Sequence, residues 1–245
     1  MVKTALLMLL MAPCQDAEKE FTPLFNGKDL TGWTFMSGTK KEDPAQAFSV
    51  KDGVLVCTMK LSGSLQTEKS YRNFTIRYDW TFKRPENLKD DAGYGGNSGC
   101  LVFIADPAKH GTYFGCWPKS VEVQGMHRDH GQILPIPREL KMKCGEDAEA
   151  RKKVLKPVGE WSSTEVIVKD GSGTVNLNGV KVAWWSDCEL TEGPIAFQSE
   201  GAEVQYRNIR IKEEKMTAGG ATELSGTLEA GPEGSLCLKV GGVCY

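Results

Sequence analysis

The segment Ser120-Val121-Glu122-Val123-Gln124 alternates apolar and polar residues, and in a β-strand successive side chains point to opposite faces. Val121 and Val123 are thereby directed into a core, and Ser120, Glu122 and Gln124 onto the other surface. A carboxylate and an amide on one rigid strand can move a proton and orient hydroxyl groups. Trp117 just before the strand offers a flat ring, and His127, Asp129 and His130 just after it add further groups of acid–base type. These residues together describe a small-molecule site. An ordinary two-faced strand with a solvated outside is the plainer alternative.

A second polar face lies on Phe74–Phe82, where Phe74, Ile76, Tyr78, Trp80 and Phe82 share one parity and Thr75, Arg77, Asp79 and Thr81 the other. If this face shares a cleft with Glu122 and Gln124, a charged pocket follows. Otherwise Arg77 and Asp79 are surface groups worth about 0.2–1 kcal/mol. Asp90, Asp91 and Asn97 in a Gly-rich loop could offer oxygens to Ca²⁺, without an EF-hand pattern to support them. The spacing of His127, Asp129 and His130 matches no zinc signature, and no CxxC pair occurs. A G-x-S-x-G elbow is absent, which disfavours a serine hydrolase.

The elements that position these groups read as strands. Phe48 to Met59 reads as two strands around Asp52-Gly53, and Asn178-Gly179 joins two more, both turn pairs that tolerate positive φ. Ser98 to Ala105, Thr164 to Lys169, Thr174 to Leu177, Lys181 to Trp184 and Pro194 to Gln198 continue the pattern. Between 203 and 211 the apolar parity switches from Val204 and Tyr206 to Ile209 and Ile211, which predicts a bulge near Arg207-Asn208. Residues 135–157 break the pattern with a charged stretch that predicts a short helix or an exposed excursion. Many short strands spaced by turns predict an all-β fold, a sandwich or jelly roll.

All 245 residues fit a single β-sandwich with a leader and a tail. Residues 1–17 contain a short apolar run of signal-peptide size, too short to span a bilayer, which predicts export to the periplasm or outside the cell. Cys14 follows it, but Pro13 stands where lipid attachment requires a small residue. No other stretch is long enough to cross a membrane. Of eight cysteines, loss of the leader through Cys14 leaves seven, so at least one thiol stays free; Cys237 and Cys244 are close enough in sequence to close a small loop. The net charge of −2 provides no basic stripe for nucleic acid. Residues 18–213 form the domain, and the Gly/Ser-rich residues 214–245 lack the apolar groups for a core of their own.

Several segments together resemble one family. Leu24-Phe25-Asn26-Gly27-Lys28-Asp29-Leu30-Thr31-Gly32-Trp33 resembles its opening motif, and Asn97-Ser98-Gly99 followed by Glu122-Val123-Gln124 its central pair. Gly159-Glu160-Trp161, Leu177-Asn178-Gly179-Val180, Gly193-Pro194-Ile195-Ala196-Phe197-Gln198 and Arg207-Asn208-Ile209-Arg210-Ile211 resemble its closing half. The family is that of the 3-keto-disaccharide hydrolase domain, within the concanavalin A-like lectin/glucanase superfamily, and the likeness covers residues 21–212. Trp117 to Ser120 and Gly125 to Gly131 are similar to a planctomycete-type subgroup.

The resemblance implies a concanavalin A-like jelly roll of two antiparallel sheets with sugar bound on one face. It also implies cleavage of 3-keto-glycosides or 3-keto-disaccharides whose ketone a separate sugar 3-dehydrogenase has installed. The chain has no G-x-G-x-x-G fingerprint with which to perform that oxidation itself. A 3-keto group acidifies the C2 hydrogen, so a base can remove it and expel the C1 substituent, after which water adds. On this expectation Glu122 or His127 is the base and Arg77 or a bound cation stabilises the enolate. Gln124 and Asn97 hold hydroxyls, Trp117 stacks on the ring, and Asp79, Asp129 and His130 contact substrate at the rim. The alternative is a carbohydrate-binding module of the same fold without catalysis.

Overall fold

In a computed structural model, residues 18–214 are described in full, and beyond them only the backbone of three short strands. The leader, Cys14 and the side chains of Cys237 and Cys244 lie outside the described residues. The strands of the first half are β1 (Thr22–Pro23), β2 (Trp33–Ser37), β3 (Lys40–Glu42), β4 (Phe48–Lys51), β5 (Val54–Cys57), β6 (Gly63–Thr67), β7 (Phe74–Phe82), β8 (Gly99–Val102) and β9 (Thr112–Tyr113). The second half adds β10 (Trp117–Pro118), β11 (Ser120–Gln124), β12 (Ile133–Ile136), β13 (Lys143–Glu146), β14 (Ser162–Lys169), β15 (Ser172–Leu177), β16 (Val180–Ser186), β17 (Ala196–Ser199) and β18 (Val204–Glu213).

Two antiparallel sheets make a jelly-roll sandwich. One runs β12-β11-β8-β17-β6-β2-β3; the other runs β13-β16-β15-β14-β7-β18-β5-β4, with β1 alongside β18. Their inner faces share one apolar core: Phe35, Leu65, Val121, Val123 and Phe197 come from the first sheet, and Phe74, Ile76, Tyr78, Trp80, Val166 and Tyr206 from the second. Tyr78 meets Phe197 edge-on across the gap, with ring centroids 5.1 Å apart, a geometry favoured by the quadrupoles of the two rings.

Local chemistry explains the turns. Asp52 and Gly53 have φ of 52° and 78°, and Asn178 and Gly179 have 49° and 85°, as two-residue hairpins require. The register of β18 against β7 slips between Arg207 and Arg210, and Asn208 adopts φ 52° at the slip. That bulge returns Ile209 and Ile211 to the core beside Val204 and Tyr206.

The stretch 135–157 contains the short helix expected there, and strand segments besides. It holds the end of β12, the whole of β13 and the helix α2 (Ala148–Val154), which follows the short α1 (Pro107–His110) in the chain. Pro135 is tolerated because β12 is an edge strand, where a missing N–H breaks no ladder. Strands β19 (Thr227–Ala230), β20 (Leu236–Val240) and β21 (Val243–Cys244) of the separate unit 215–245 pair with one another as a small antiparallel sheet. Among the described residues no helix is long and apolar enough to cross a membrane.

Candidate active site

Glu122 faces away from the core shared by the two sheets. Its cross-strand partners are Leu101 of β8 and Leu134 of β12, and directly opposed residues share a face. Leu101 pairs in turn with Ala196, Ala196 with Gln66, and Gln66 with Thr34. One step along the strands, Gln124 pairs with Gly99 and Gln198 with Ser64. The outer face of this sheet therefore carries a band of polar side chains: Gln124, Glu122, Gln198, Ser64 and Gln66, all buried.

Over the Glu122 and Gln124 end of this band lies a hollow of about 440 Å³. Asn97, Glu122, Gln124 and Glu200 are its polar lining, and Phe114, Trp117, Leu134, Pro135 and Ile136 its apolar lining, with Arg138 at one side. The hairpin of β9 and β10, closed by Phe114-Gly115-Cys116, delivers Trp117 and Phe114 to it. Trp117 packs with Leu101, Ile104, Ile136 and Ala196 into a small apolar cluster separate from the main core.

Burial decides the electrostatics. Glu122 is 6% exposed, and the loss of water pushes its carboxyl up to about 8, helped by the negative charge of Glu200. Glu200 is itself raised by burial. The nearby Gln198 amide pulls Glu122 slightly downward, yet neither end of that amide has a partner in hydrogen-bond geometry among the described residues. An amide so enclosed and unpaired costs free energy unless a ligand or water meets it. Its two ends exchange on a half-turn, so it can present NH₂ to the Glu122 carboxylate. Gln124 Oε1 accepts from the Met126 N–H at 2.8 Å, and Asn97 Oδ1 from the Ser98 N–H at 3.0 Å. Each amide is thus oriented by backbone with its NH₂ end turned elsewhere.

The hollow brings together Glu122, Gln124, Asn97 and Trp117, as the sequence had suggested. It does not include the other candidates. Arg77 and Asp79 stand on the other sheet, on the face turned away from the core, so the expectation of one shared cleft is corrected. Arg77 pairs with Glu165 at 2.7 Å and with Glu18, and it stacks over Phe21. Asp79 accepts from Asn208 at 2.6 Å and pairs with Arg207 at 3.5 Å. Parity alone could not tell which of two sheets a polar face belongs to.

The histidines are corrected as well. His130 is buried and stacked on Trp80, with centroids 3.8 Å apart and planes 12° from parallel, and its Nε2 meets Thr164 Oγ1 at 2.8 Å. Burial holds it near 3, so it is neutral. His127 is wedged against Trp80, Phe82 and Tyr94 with Nε2 2.9 Å from the Lys156 carbonyl. Together with Asp129 it lines a different hollow beside Arg128 and Arg151. The turn Gly125 to Gly131 folds back onto the sandwich instead of continuing over the Glu122 face. Of the proposed Ca²⁺ loop, Asp90 Oδ1 caps Gly93 N–H, and Asp91 pairs with Arg84 and accepts from Val158 N–H. Among the described residues no group of three His, Cys, Asp or Glu is arranged to hold a metal.

Gln198, Glu200, Phe114 and Arg138 were missed. The signal for Gln198 was available: it shares parity with Ala196 and opposes Phe197, the core residue between them. Phe114, Glu200 and Arg138 sit in loops, where periodicity carries no information.

One buried and one half-buried carboxyl stand beside oriented amides on the outer face of one sheet, and residues 20–212 match the model of one family, described as the 3-keto-alpha-glucoside-1,2-lyase-like domain. The chain belongs to that family. No curated protein matches it. Among solved structures it is similar to two from Parabacteroides distasonis, each provisionally assigned as a glycosyl hydrolase. The first is 27% identical with a TM-score of 0.58, over 82% of this chain and 97% of that one. The second is 23% identical with a TM-score of 0.54, over 79% and 99%. A Bacillus subtilis protein with a galectin-like fold aligns at 14% identity and a TM-score of 0.51, over 79% and 94%, which shows the shared fold. The family is one of carbohydrate-active domains, and its matched range spans every residue of the hollow.

Proposed function

We propose that the hollow cleaves 3-keto-glycosides, with Glu122 as the base. The observation that carries this reading is the buried carboxyl of Glu122, pushed up to about 8 in a hollow that also holds a second acid. A carboxylate with so high a pKa is a stronger base than a solvated one, matched to a carbon acid next to a ketone.

In this scheme the Glu122 carboxylate takes the C2 proton, and the C–H electron pair moves into an enolate with its charge on the C3 oxygen. The amide side chains of Asn97 and Gln124 line the same hollow, and their NH₂ groups can meet that oxygen. Collapse of the enolate forms a C1–C2 double bond and breaks the C1–O bond. The departing oxygen is protonated as it leaves, by the Glu122 carboxylic acid formed in the first step or by water. Water adding at C1 afterwards completes a net hydrolysis. A sugar 3-dehydrogenase must act first to supply the ketone. Trp117 provides a ring face for the sugar.

The test is incubation of the purified protein with 3-keto-trehalose, with and without a chelator. Release of 3-keto-glucose or an unsaturated 3-keto sugar supports the enzyme. Binding of unoxidised trehalose with no turnover of its 3-keto form favours a carbohydrate-binding module instead.

A further inference from the structure

The hollow is two-sided in character: acids and amides occupy the sheet, and an apolar wall of Leu134, Pro135, Ile136 and Phe114 stands beside them. Phe114 is the odd member. It is 70% exposed, whereas Trp117 of the same hairpin is buried and Tyr113 half-buried. Its φ of 51° places a bulky side chain in the left-handed region that such residues rarely adopt. It occupies the tip of the β9–β10 turn, with Gly111 and Gly115 at positive φ on either side. A residue held in an unfavoured conformation and projected into water over a cavity is a pattern associated with ligand contact. Arg138 lines the same cavity, exposed, and no ion pair or hydrogen bond to it is found among the described residues.

A sugar needs many hydroxyl partners, and the polar band supplies these on one side only. The apolar wall, one exposed phenyl ring and one flat unpaired guanidinium suit a planar aromatic group, which stacks on rings and on arginine alike. We propose that this wall is the subsite for an aromatic aglycone and that Phe114 is its specificity-determining residue. The inference rests on the preceding reading only in taking the hollow as the glycoside site.

The test compares 3-keto forms of phenyl and methyl α-glucoside with Phe114 intact, in Phe114→Ala and in Phe114→Trp. The ratio of the two is read as Kd, measured with Glu122→Gln as the background so that the better leaving group of the phenyl compound does not enter it. With Phe114 intact the phenyl compound should be favoured at least about fivefold. Phe114→Ala should bring the ratio near one with the methyl compound little changed, and Phe114→Trp should restore the preference. A ratio near one with Phe114 intact, a preference surviving in Phe114→Ala, an equal loss on both compounds in that variant, or no binding of either compound overturns the inference. Absent turnover by the wild-type chain with the binding ratio intact would instead sink the lyase reading and leave this one standing.

Discussion

Glu122 and Gln198 lean over Gly99 from the two strands that flank it: a β-carbon built at Gly99 would lie 2.9 Å from Glu122 Oε1 and 2.1 Å from Gln198 Oε1. The backbone of β8 is thus the floor on which the acid and the amide meet. Gly99→Ala must displace both side chains. Such overpacking costs about 1–3 kcal/mol, and kcat/KM on a 3-keto-glucoside should fall more than about tenfold. Thermal unfolding and steady-state kinetics on the variant check the two effects together.

Glu122 also couples stability to pH. Its folded pKa of about 8 stands above the unfolded value near 4.5, so the folded state holds the proton more tightly. That contribution is complete below the unfolded value and is lost as pH rises through 8. Glu122→Gln removes the ionisation, so the variant should gain on wild type with rising pH, by about 2–4 kcal/mol at alkaline pH. Denaturant melts at acid and alkaline pH measure the difference. A constant offset would show that the carboxyl is not protonated in the fold.

His130 acts in the opposite sense. Its folded pKa near 3 lies below the usual 6.5, so its contribution is present above 6.5 and fades as pH falls toward 3. His130→Ala should lose about 2–4 kcal/mol at neutral pH, through the lost stack on Trp80 and the unpaired Thr164 hydroxyl. The acid limb of its stability curve should be shallower than in wild type. Where the variant remains folded, its kcat should be unchanged.

Arg77 offers the control for the corrected cleft. Its partners Glu165 and Glu18 are on the outer face of the second sheet, and partly exposed pairs of this kind contribute about 1 kcal/mol or less. Arg77→Ala should leave kcat and KM within about twofold of wild type. A large loss in kcat would return Arg77 to the mechanism.

The fold was largely legible in the chain because its signals are local. The alternation of Phe74–Phe82, the turn pairs Asp52-Gly53 and Asn178-Gly179, and the parity switch at Arg207-Asn208 each report a geometry settled within a few residues. On the site, the alternation of Ser120–Gln124 separated Glu122 and Gln124 from the core residues Val121 and Val123. What it could not convey is which sheet faces which. Arg77 and Glu122 look alike in pattern, yet the core lies between them. His127 and His130 are three residues apart in a turn whose direction depends on packing against Trp80, a long-range contact. Phe114 and Arg138 come from loops, whose placement follows from the hairpin and the edge strand that carry them.

The most direct measurement is the pH dependence of kcat for wild type and Glu122→Gln on a 3-keto-glucoside, from about pH 6 to about pH 10. Wild-type turnover should rise to a plateau as the carboxyl ionises near 8, and the folded variant should show a loss of at least about a hundredfold across the range. Turnover in Glu122→Gln comparable to wild type, with the same pH profile, would contradict the assignment of Glu122 as the base.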